Sequence, residues 1–435
     1  MQPGAPGHDP SGGRGEGHNL AVGSGTASGS GALGGSGNLG ASGVPAGSGI
    51  AGSSWTPSGV AADPAARALE HAAPTPPLAA SPPPADAGAP APRPPRARFE
   101  AGELAMVCSH YDVGVIEAIK EFRRGSGRAP KVVFKTDRGR FLLKRRPAGG
   151  VGTEAQARIQ FCHAIQLFLS KRHFPLPRLI RTRTDGRTML ARGESIYELF
   201  EFIDGGNYDM SLDATADAGR ALALFHRLLS SFHLHGYSPP CGSFHSAPGL
   251  EPHLALAGRR LNGSTAPALE RLRAAYAEAA HLAGAQGFIH WPAQIIHGDW
   301  HPGNMLFKGS RVAAVIDYDT ARQCPRAVDI ANGALQFSIT MRGPDPARWP
   351  VGLDEGRLKR FLRGYETVPG SVISVAELES LPWLMVEALI VEAVVPIAAT
   401  GTFAGLSGSA FLGMVDANVD WIRRNARRIA ALVSE

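Results

Sequence analysis

The stretch His297-Gly298-Asp299-Trp300-His301-Pro302-Gly303-Asn304, followed a few residues later by Val315-Ile316-Asp317-Tyr318-Asp319, decides how the rest of this chain is read. Asp299, Asn304 and Asp317 offer two carboxylates and a carboxamide that can gather a reacting hydroxyl and magnesium ions around a nucleoside triphosphate. Phosphoryl transfer needs little covalent help, so a protein serving it positions the acceptor and neutralises charge on oxygen. Magnesium prefers hard oxygen ligands and takes one or two carboxylates from protein, with phosphates and water completing the shell. Asn304 and Asp317 suit that role. The run Val312-Ala313-Ala314-Val315-Ile316 reads as a buried strand, which delivers Asp317 from a rigid element.

His297, Asp299 and Asn304 fall at the relative positions of the kinase catalytic loop H-R-D-x-x-x-x-N, with Gly298 in place of the arginine. Asp, Asn and Gly also populate ordinary turns, but turn chemistry explains neither the full spacing nor the second aspartate. The G-D-x-H run would serve a dinuclear phosphoesterase as well. Such sites need further His and Asp clusters, and no companion D-x-H lies upstream.

The run HGDWHPGN, then VIDYD, then Asp329-Ile330-Ala331 closely resembles the aminoglycoside phosphotransferase and choline kinase-like family. The resemblance implies an α+β, bilobal protein-kinase-like fold, with a small N-terminal lobe of antiparallel sheet and a helix, and a larger, mainly helical C-terminal lobe. It implies ATP and Mg2+ as cofactors and the hydroxyl of a small molecule as acceptor. On the matching positions, Asp299 is the catalytic aspartate, Asn304 and Asp317 bind magnesium, and His297, His301 and Asp329 brace the loop.

The nucleotide leaves traces earlier in the chain. Lys131–Thr136 and Arg140–Lys144 read as a hairpin around Thr136-Asp137-Arg138-Gly139, placing Lys144 on its second strand. By resemblance Lys144 steadies the nucleotide phosphates, and Gly125-Ser126-Gly127 stands where a loop would cover them, its Ser126 a candidate contact. A helix from about Glu154 to Arg172 presents Phe161, Ile165, Phe168 and Leu169 on its inner face. Where the family often has a glutamate on this helix, Gln160 or His163 stands instead, and Glu154 lies near the helix start. The acid partner of Lys144 is therefore left open. Ser195 to Ile203 reads as a strand entering the connection between lobes, where the backbone of Glu201, Phe202 and Ile203 would meet adenine.

Residues 1–98 are saturated with Gly, Ala, Ser and Pro and lack a periodic apolar pattern, so a disordered tail is expected. Residues 99–204 are expected to form the nucleotide lobe and 205–435 the catalytic and substrate lobe. In the latter, Leu222, Phe225, Leu229 and Phe232 form one helical stripe, and Val415, Val419, Ile422, Ala426 and Ile429 another. His226, beside the first stripe, reads as a packed histidine. The apolar segment from Leu381 to Thr400 contains Glu387 and Glu392 and is interrupted by Pro396, so a buried helix is expected rather than a membrane span; its glutamates are read as solvated or structural, ahead of the alternative that they face the cleft and attract a cationic substrate.

The four cysteines, Cys108, Cys162, Cys241 and Cys324, are scattered and imply neither a zinc site nor a disulfide framework. The first residues lack the basic-then-apolar order of a secretory signal, from which cytoplasmic residence is expected. The formal charge of +6 is small for 435 residues. Its basic run between Arg123 and Arg146 lacks interleaved aromatics, so anion attraction in the nucleotide lobe is expected rather than nucleic-acid binding. Two other readings stay open: a non-catalytic kinase-like nucleotide-binding protein, and a protein kinase. Against the latter, Ala327-Val328-Asp329-Ile330 stands where an A-P-E-like signature would follow. The identity of the acceptor and the oligomeric state are not written in the sequence.

Overall fold

A computed structural model describes residues 98–122, 129–147, 154–234, 236–247, 249–261, 263, 265–341 and 343–432. The expected disordered tail, but for residue 98, and the Ser126 loop lie outside the described residues.

Helix α1 (Ala101–Cys108) precedes strands β1 (Ile116–Glu121), β2 (Lys131–Thr136) and β3 (Gly139–Pro147). Helix α2 (Glu154–Ser170) follows, then β4 (Leu179–Ile180), β5 (Leu190–Arg192) and β6 (Ser195–Glu201). These strands form an antiparallel sheet in the order β1-β2-β3-β6-β4, with β5 also on β6. Alternation sets its inner face: Val132, Phe134 and Leu143 are buried with Leu199 and with Val107 of α1. The β2–β3 hairpin turns at Asp137 and Arg138, where Thr136 Oγ1 accepts from Arg138 N–H at 3.1 Å and donates to the Gly139 carbonyl at 3.2 Å. Register then pairs Lys144 with Lys131 on one side and Glu198 on the other.

Helix α2 is two residues shorter than its pattern suggested, because His173 takes a left-handed φ of 57° just beyond it. Phe161, Ile165 and Leu169 are buried on its inner face; Phe168 is half-buried, edge-on to Phe232.

The second part of the chain is mainly helical: α3 (Leu212–Leu229), α4 (Leu250–Arg260), α5 (Ala266–Ala285), α6 (Ala327–Ser338), α7 (Glu355–Glu366), α8 (Val375–Thr400), α9 (Gly408–Arg424) and α10 (Ala426–Ala431). Between α5 and α6 lie β7 (Ala293–Ile296), β8 (Met305–Lys308), β9 (Arg311–Val315) and β10 (Arg322–Pro325), paired as β7 with β10 and β8 with β9. Helix α8 is the axis of this lobe and packs against α4, α5, α6, α9 and α10. By length and composition it could cross a membrane, but most of its apolar window is buried within the lobe. It begins with a capping box between Ser374 and Glu377 and runs through both Pro382 and Pro396 to Gly401 at φ 75°. Pro396 therefore does not interrupt it. The second apolar stripe is divided by Asn425, with Val415, Val419 and Ile422 on α9 and Ala426 and Ile429 on α10, all buried.

Helices α3 and α7 meet through glycines. A Cβ at Gly219 would lie 2.0 Å from the Phe361 carbonyl oxygen, and one at Gly364 would lie 2.0 Å from that of Ala216. Only hydrogen fits there, which brings the two backbones into contact.

Candidate active site

The loop after β7 is built around one buried carboxylate. Asp329, in the first turn of α6 and fully buried, accepts from His297 N–H at 2.7 Å and Gly298 N–H at 2.8 Å. His226 Nε2 lies 3.2 Å from the same carboxylate, and His226 Nδ1 lies 2.9 Å from the Tyr365 hydroxyl. His226 is thus a packed, hydrogen-bonded group. Gly298 has φ 76°, and a Cβ on it would approach the Thr320 carbonyl oxygen to 2.5 Å. The glycine that replaces the usual arginine follows from that turn. Trp300, also buried, packs on Phe225 and on the ring of His297, and pins the loop from below. Burial pulls the His297 imidazole below its ordinary proton affinity, against the opposing charge of Asp329.

Asp299 emerges from this platform. Asn304, at the end of the turn Pro302–Asn304, donates from Nδ2 to the Asp299 carboxylate at 2.8 Å and to its carbonyl at 3.1 Å. His301 Nε2 sits 3.5 Å from Asp299 Oδ2. Burial raises the Asp299 carboxyl, but the His301 hydrogen bond and charge outweigh it, so Asp299 titrates below the ordinary aspartate value. The same contact raises His301 against its own burial. Asp317 follows β9, which ends one residue earlier than its pattern suggested; it is exposed and holds a left-handed φ of 64°. That conformation is costly for a residue with a Cβ and turns the carboxylate out from the strand. Asp317, Asn304 and Asp299 offer hard oxygen donors of the kind that magnesium takes from protein. Among the described residues, no group of three or more His, Cys, Asp or Glu could hold a metal.

The acid partner of Lys144 is on neither the helix nor the sheet. Lys144 Nζ lies 3.4 Å from Asp319 Oδ2, and Arg146 Nη1 donates to the same oxygen at 2.9 Å. Arg158 of α2 donates to the Asp319 carbonyl at 2.8 and 2.5 Å. Burial raises the Asp319 carboxyl, and the two cations override it to hold the group well below the ordinary value. On the other side of Arg146, Nε donates to Glu198 Oε2 at 2.6 Å, and Glu198 Oε1 lies 2.7 Å from His163 Nε2. His163 therefore takes the helix position but reaches Lys144 only through Glu198, Arg146 and Asp319. Gln160 is exposed, and so is Glu154. Lys131 faces the same space: burial and the Lys144 charge pull its ammonium below the ordinary lysine value, with Asp317 opposing.

The inter-lobe segment is only partly available to a base. Glu201 N–H donates to the Arg178 carbonyl at 2.8 Å and Phe202 N–H to that of Arg140 at 2.9 Å, so donors nearest to adenine begin at Ile203. The basic run expected to attract anions is largely paired, Lys135 with Glu117, Arg138 with Asp112, Arg140 with Asp204 and Arg145 with Glu103.

On the far side of Asp299 lies Glu392 of α8. Burial, with the Asp299 charge behind it, pushes its carboxyl up to about 7, against His301. Gln336 Nε2 of α6 donates to it at 2.5 Å, and the amide of Asn332, one turn earlier and 1% exposed, bears on the same carboxyl. Glu387 is held differently, accepting from Ser246 N–H at 3.2 Å beside His245 Nδ1 at 3.0 Å, which pins the loop before α4. Sequence reasoning raised Glu392 as a cleft-facing acid but preferred a structural role, and missed Asp319, Arg146, Glu198, Asn332 and Gln336. The one available signal was the second aspartate of VIDYD.

The model of the phosphotransferase enzyme family matches residues 119–373, more than half of the chain. Homoserine kinase of Rhodopseudomonas palustris is 27% identical over 236 residues, covering 53% of this chain and 67% of that protein. Among solved structures, an aminoglycoside phosphotransferase from Alicyclobacillus acidocaldarius superposes with a TM-score of 0.52 at 16% identity, over 78% of this chain and 98% of its own. Choline kinase from Cryptosporidium parvum gives 0.51 at 14% identity, over 77% and 99%. A microcompartment-associated aminopropanol kinase gives 0.55 at 14% identity, over 76% and 99%. At such identities the structural likeness is one of fold.

Proposed function

We propose, from the premise that this chain belongs to the phosphotransferase enzyme family and is a kinase with an alcohol acceptor, that it moves the γ-phosphoryl group of ATP to a hydroxyl of a small amine-bearing compound. What supports this is the bracing of Asp299 by Asn304 and His301, the Ile316 N–H on the Asn304 carbonyl at 2.9 Å, which sets Asp317 next to that loop, and the pairing of Lys144 with Asp319 two residues further on. Asp299 orients the acceptor hydroxyl and takes its proton late in the transfer; its low proton affinity suits it to orientation more than to strong base action. Asn304 Oδ1 and Asp317 would hold magnesium, which when bound neutralises charge on the phosphate oxygens. Lys144 and Lys131 meet the phosphates from the sheet. His297 and Asp329 keep the loop backbone in place.

The amine is inferred from Glu392. This carboxyl feels the charge of Asp299, and the Asn332 and Gln336 amides beside it supply further polar contacts. An ammonium next to the reacting hydroxyl would ionise Glu392 and pair with it. The homoserine kinase to which this chain is similar is named for a substrate of that chemistry.

Purified protein incubated with ATP, magnesium and a panel of alcohols with and without an amine, scored by ADP release and phosphorylated product, tests the reading. Transfer to amine-bearing alcohols, lost in Asp299→Asn while ATP binding persists, is the expected result. Nucleotide binding without transfer to any alcohol would leave the non-catalytic reading in its place.

A further inference from the structure

Outside the site just described, the outer face of α2 borders a cleft of about 860 Å³ that none of the preceding chemistry uses. That volume lies in the range of small-molecule pockets. Four cations border it: Lys171 and Arg172 just past α2, Arg181 just past β4, and Arg187 before β5. No acid is among its lining residues. Arg187 pairs with the adjacent Asp185 at 2.9 Å; Arg181 donates to the Gly186 carbonyl at 2.7 Å and Arg172 to the Phe168 carbonyl at 3.2 Å, and among the described residues these two and Lys171 have no carboxylate partner. Arg172 lies over the Phe168 ring at 3.4 Å, so its planar guanidinium is held at the rim on an aromatic support. A solvated basic face would be convex and interspersed with acids; this one is concave, and Asp185 beside Arg187 is the acid that reaches its cations among the described residues.

The floor of the cleft belongs to the catalytic charge network. His163, 2% exposed and lining the cleft, has Thr188 Oγ1 at 2.8 Å from Nδ1 and Glu198 Oε1 at 2.7 Å from Nε2. Glu198 shares Arg146 with Asp319, and Asp319 shares Lys144. A continuous line of polar contacts therefore joins the cleft to the lysine expected to meet the nucleotide.

We propose that this cleft is a second binding site, for a small phosphate-bearing anion, and that its occupation is felt at Lys144 through His163, Glu198, Arg146 and Asp319. Paired cations that fork around a concave surface match the geometry and charge of a phosphate group. An anion there takes up the Thr188 hydroxyl that holds His163 Nδ1, and so shifts the hold of His163 on Glu198 and of Glu198 on Arg146. Arg146 then holds Asp319 more fully, and Lys144 is released toward the nucleotide. By linkage the nucleotide strengthens anion binding by the same factor. The binding half of the proposal stands apart from the nucleotide reading; the coupling half rests on it.

Calorimetry on the full chain separates the two. The chain is first saturated with magnesium and a non-hydrolysable ATP analogue, then titrated with AMP or, in a separate arm, with inorganic phosphate. A second saturable event is expected, lost in Lys171→Glu/Arg181→Glu, which leaves analogue affinity in the absence of AMP unchanged. AMP should tighten the analogue about fivefold or more, within the usual span of coupling between sites. Thr188→Val should keep the second event but shrink that factor. If phosphate alone reproduces the event, the phosphate group is the determinant; if only AMP does, the cleft also reads the nucleoside. Absence of a second event, or one indifferent to the charge reversals, overturns the site. An event that leaves analogue affinity unmoved overturns the coupling. Failure of the analogue itself to bind would instead refute the nucleotide reading.

Discussion

Glu392→Gln should make the chain more stable at alkaline pH and hardly alter it in acid. The wild-type carboxyl is raised from 4.5 to about 7 by burial and by the Asp299 charge, a difference of about 2.5 units. At about 1.4 kcal/mol per unit this is a ceiling of about 3 kcal/mol. Glu392 is only partly covered, and screening by the solvent that reaches it brings the expected figure to about half, roughly 1.5 kcal/mol. The direction follows from proton binding. Between pH 4.5 and 7 the folded chain holds the proton that the unfolded chain has released, so the group's contribution falls as pH rises, is fully unfavourable above 7 and vanishes below 4.5. Glutamine carries no charge and still accepts from Gln336. Urea unfolding of both proteins at pH 5 and pH 8 measures the effect: the variant should gain about 1.5 kcal/mol on wild type at pH 8 and little at pH 5. Equal differences at the two pH values, or a variant less stable at pH 8, would show that Glu392 is ionised and satisfied in the resting protein.

Steady-state kinetics should show the same substitution raising KM for amine-bearing acceptors about tenfold or more, with KM for ATP unchanged, as expected for a lost charged contact. Asp317→Ala should weaken magnesium-nucleotide binding in a titration with a fluorescent analogue, and unaltered affinity would remove Asp317 from the metal. His301→Gln removes the group that lowers Asp299, so the acid limb of kcat/KM against pH should move upward; an unmoved limb would show that Asp299 is set by other contacts. Asp329→Ala leaves the N–H groups of His297 and Gly298 buried and unpaired, a loss of about 2 to 5 kcal/mol readable by thermal unfolding.

The two lobes and the loop at 297–304 were legible because they rest on local signals: alternation in Val132 and Phe134, the Thr136–Gly139 turn, and a fixed spacing of His, Asp and Asn. The partner of Lys144 was not, since Asp319 lies 175 residues away and reaches the lysine only when the lobes are assembled. The helix position that lacked a glutamate is likewise understandable only in three dimensions, where His163 passes its contact to Glu198 on the neighbouring strand. Gln336 looked like an ordinary helix residue, and nothing in the sequence raised Glu392 above Glu387. What distinguishes Glu392 is the charge of Asp299 nearby, a property of the assembled lobe rather than of α8 alone.

The glycine contact between α3 and α7 has a reach beyond packing. Gly364 precedes Tyr365, whose hydroxyl touches His226 on α3, and His226 in turn touches the carboxylate that holds the loop backbone at 297 and 298. A methyl group at 219 or 364 would wedge the helices apart and draw the phenol off the imidazole, so damage at a site without a single polar side chain would surface as slower turnover. Catalytic precision in this chain is in that sense inherited from two missing carbon atoms.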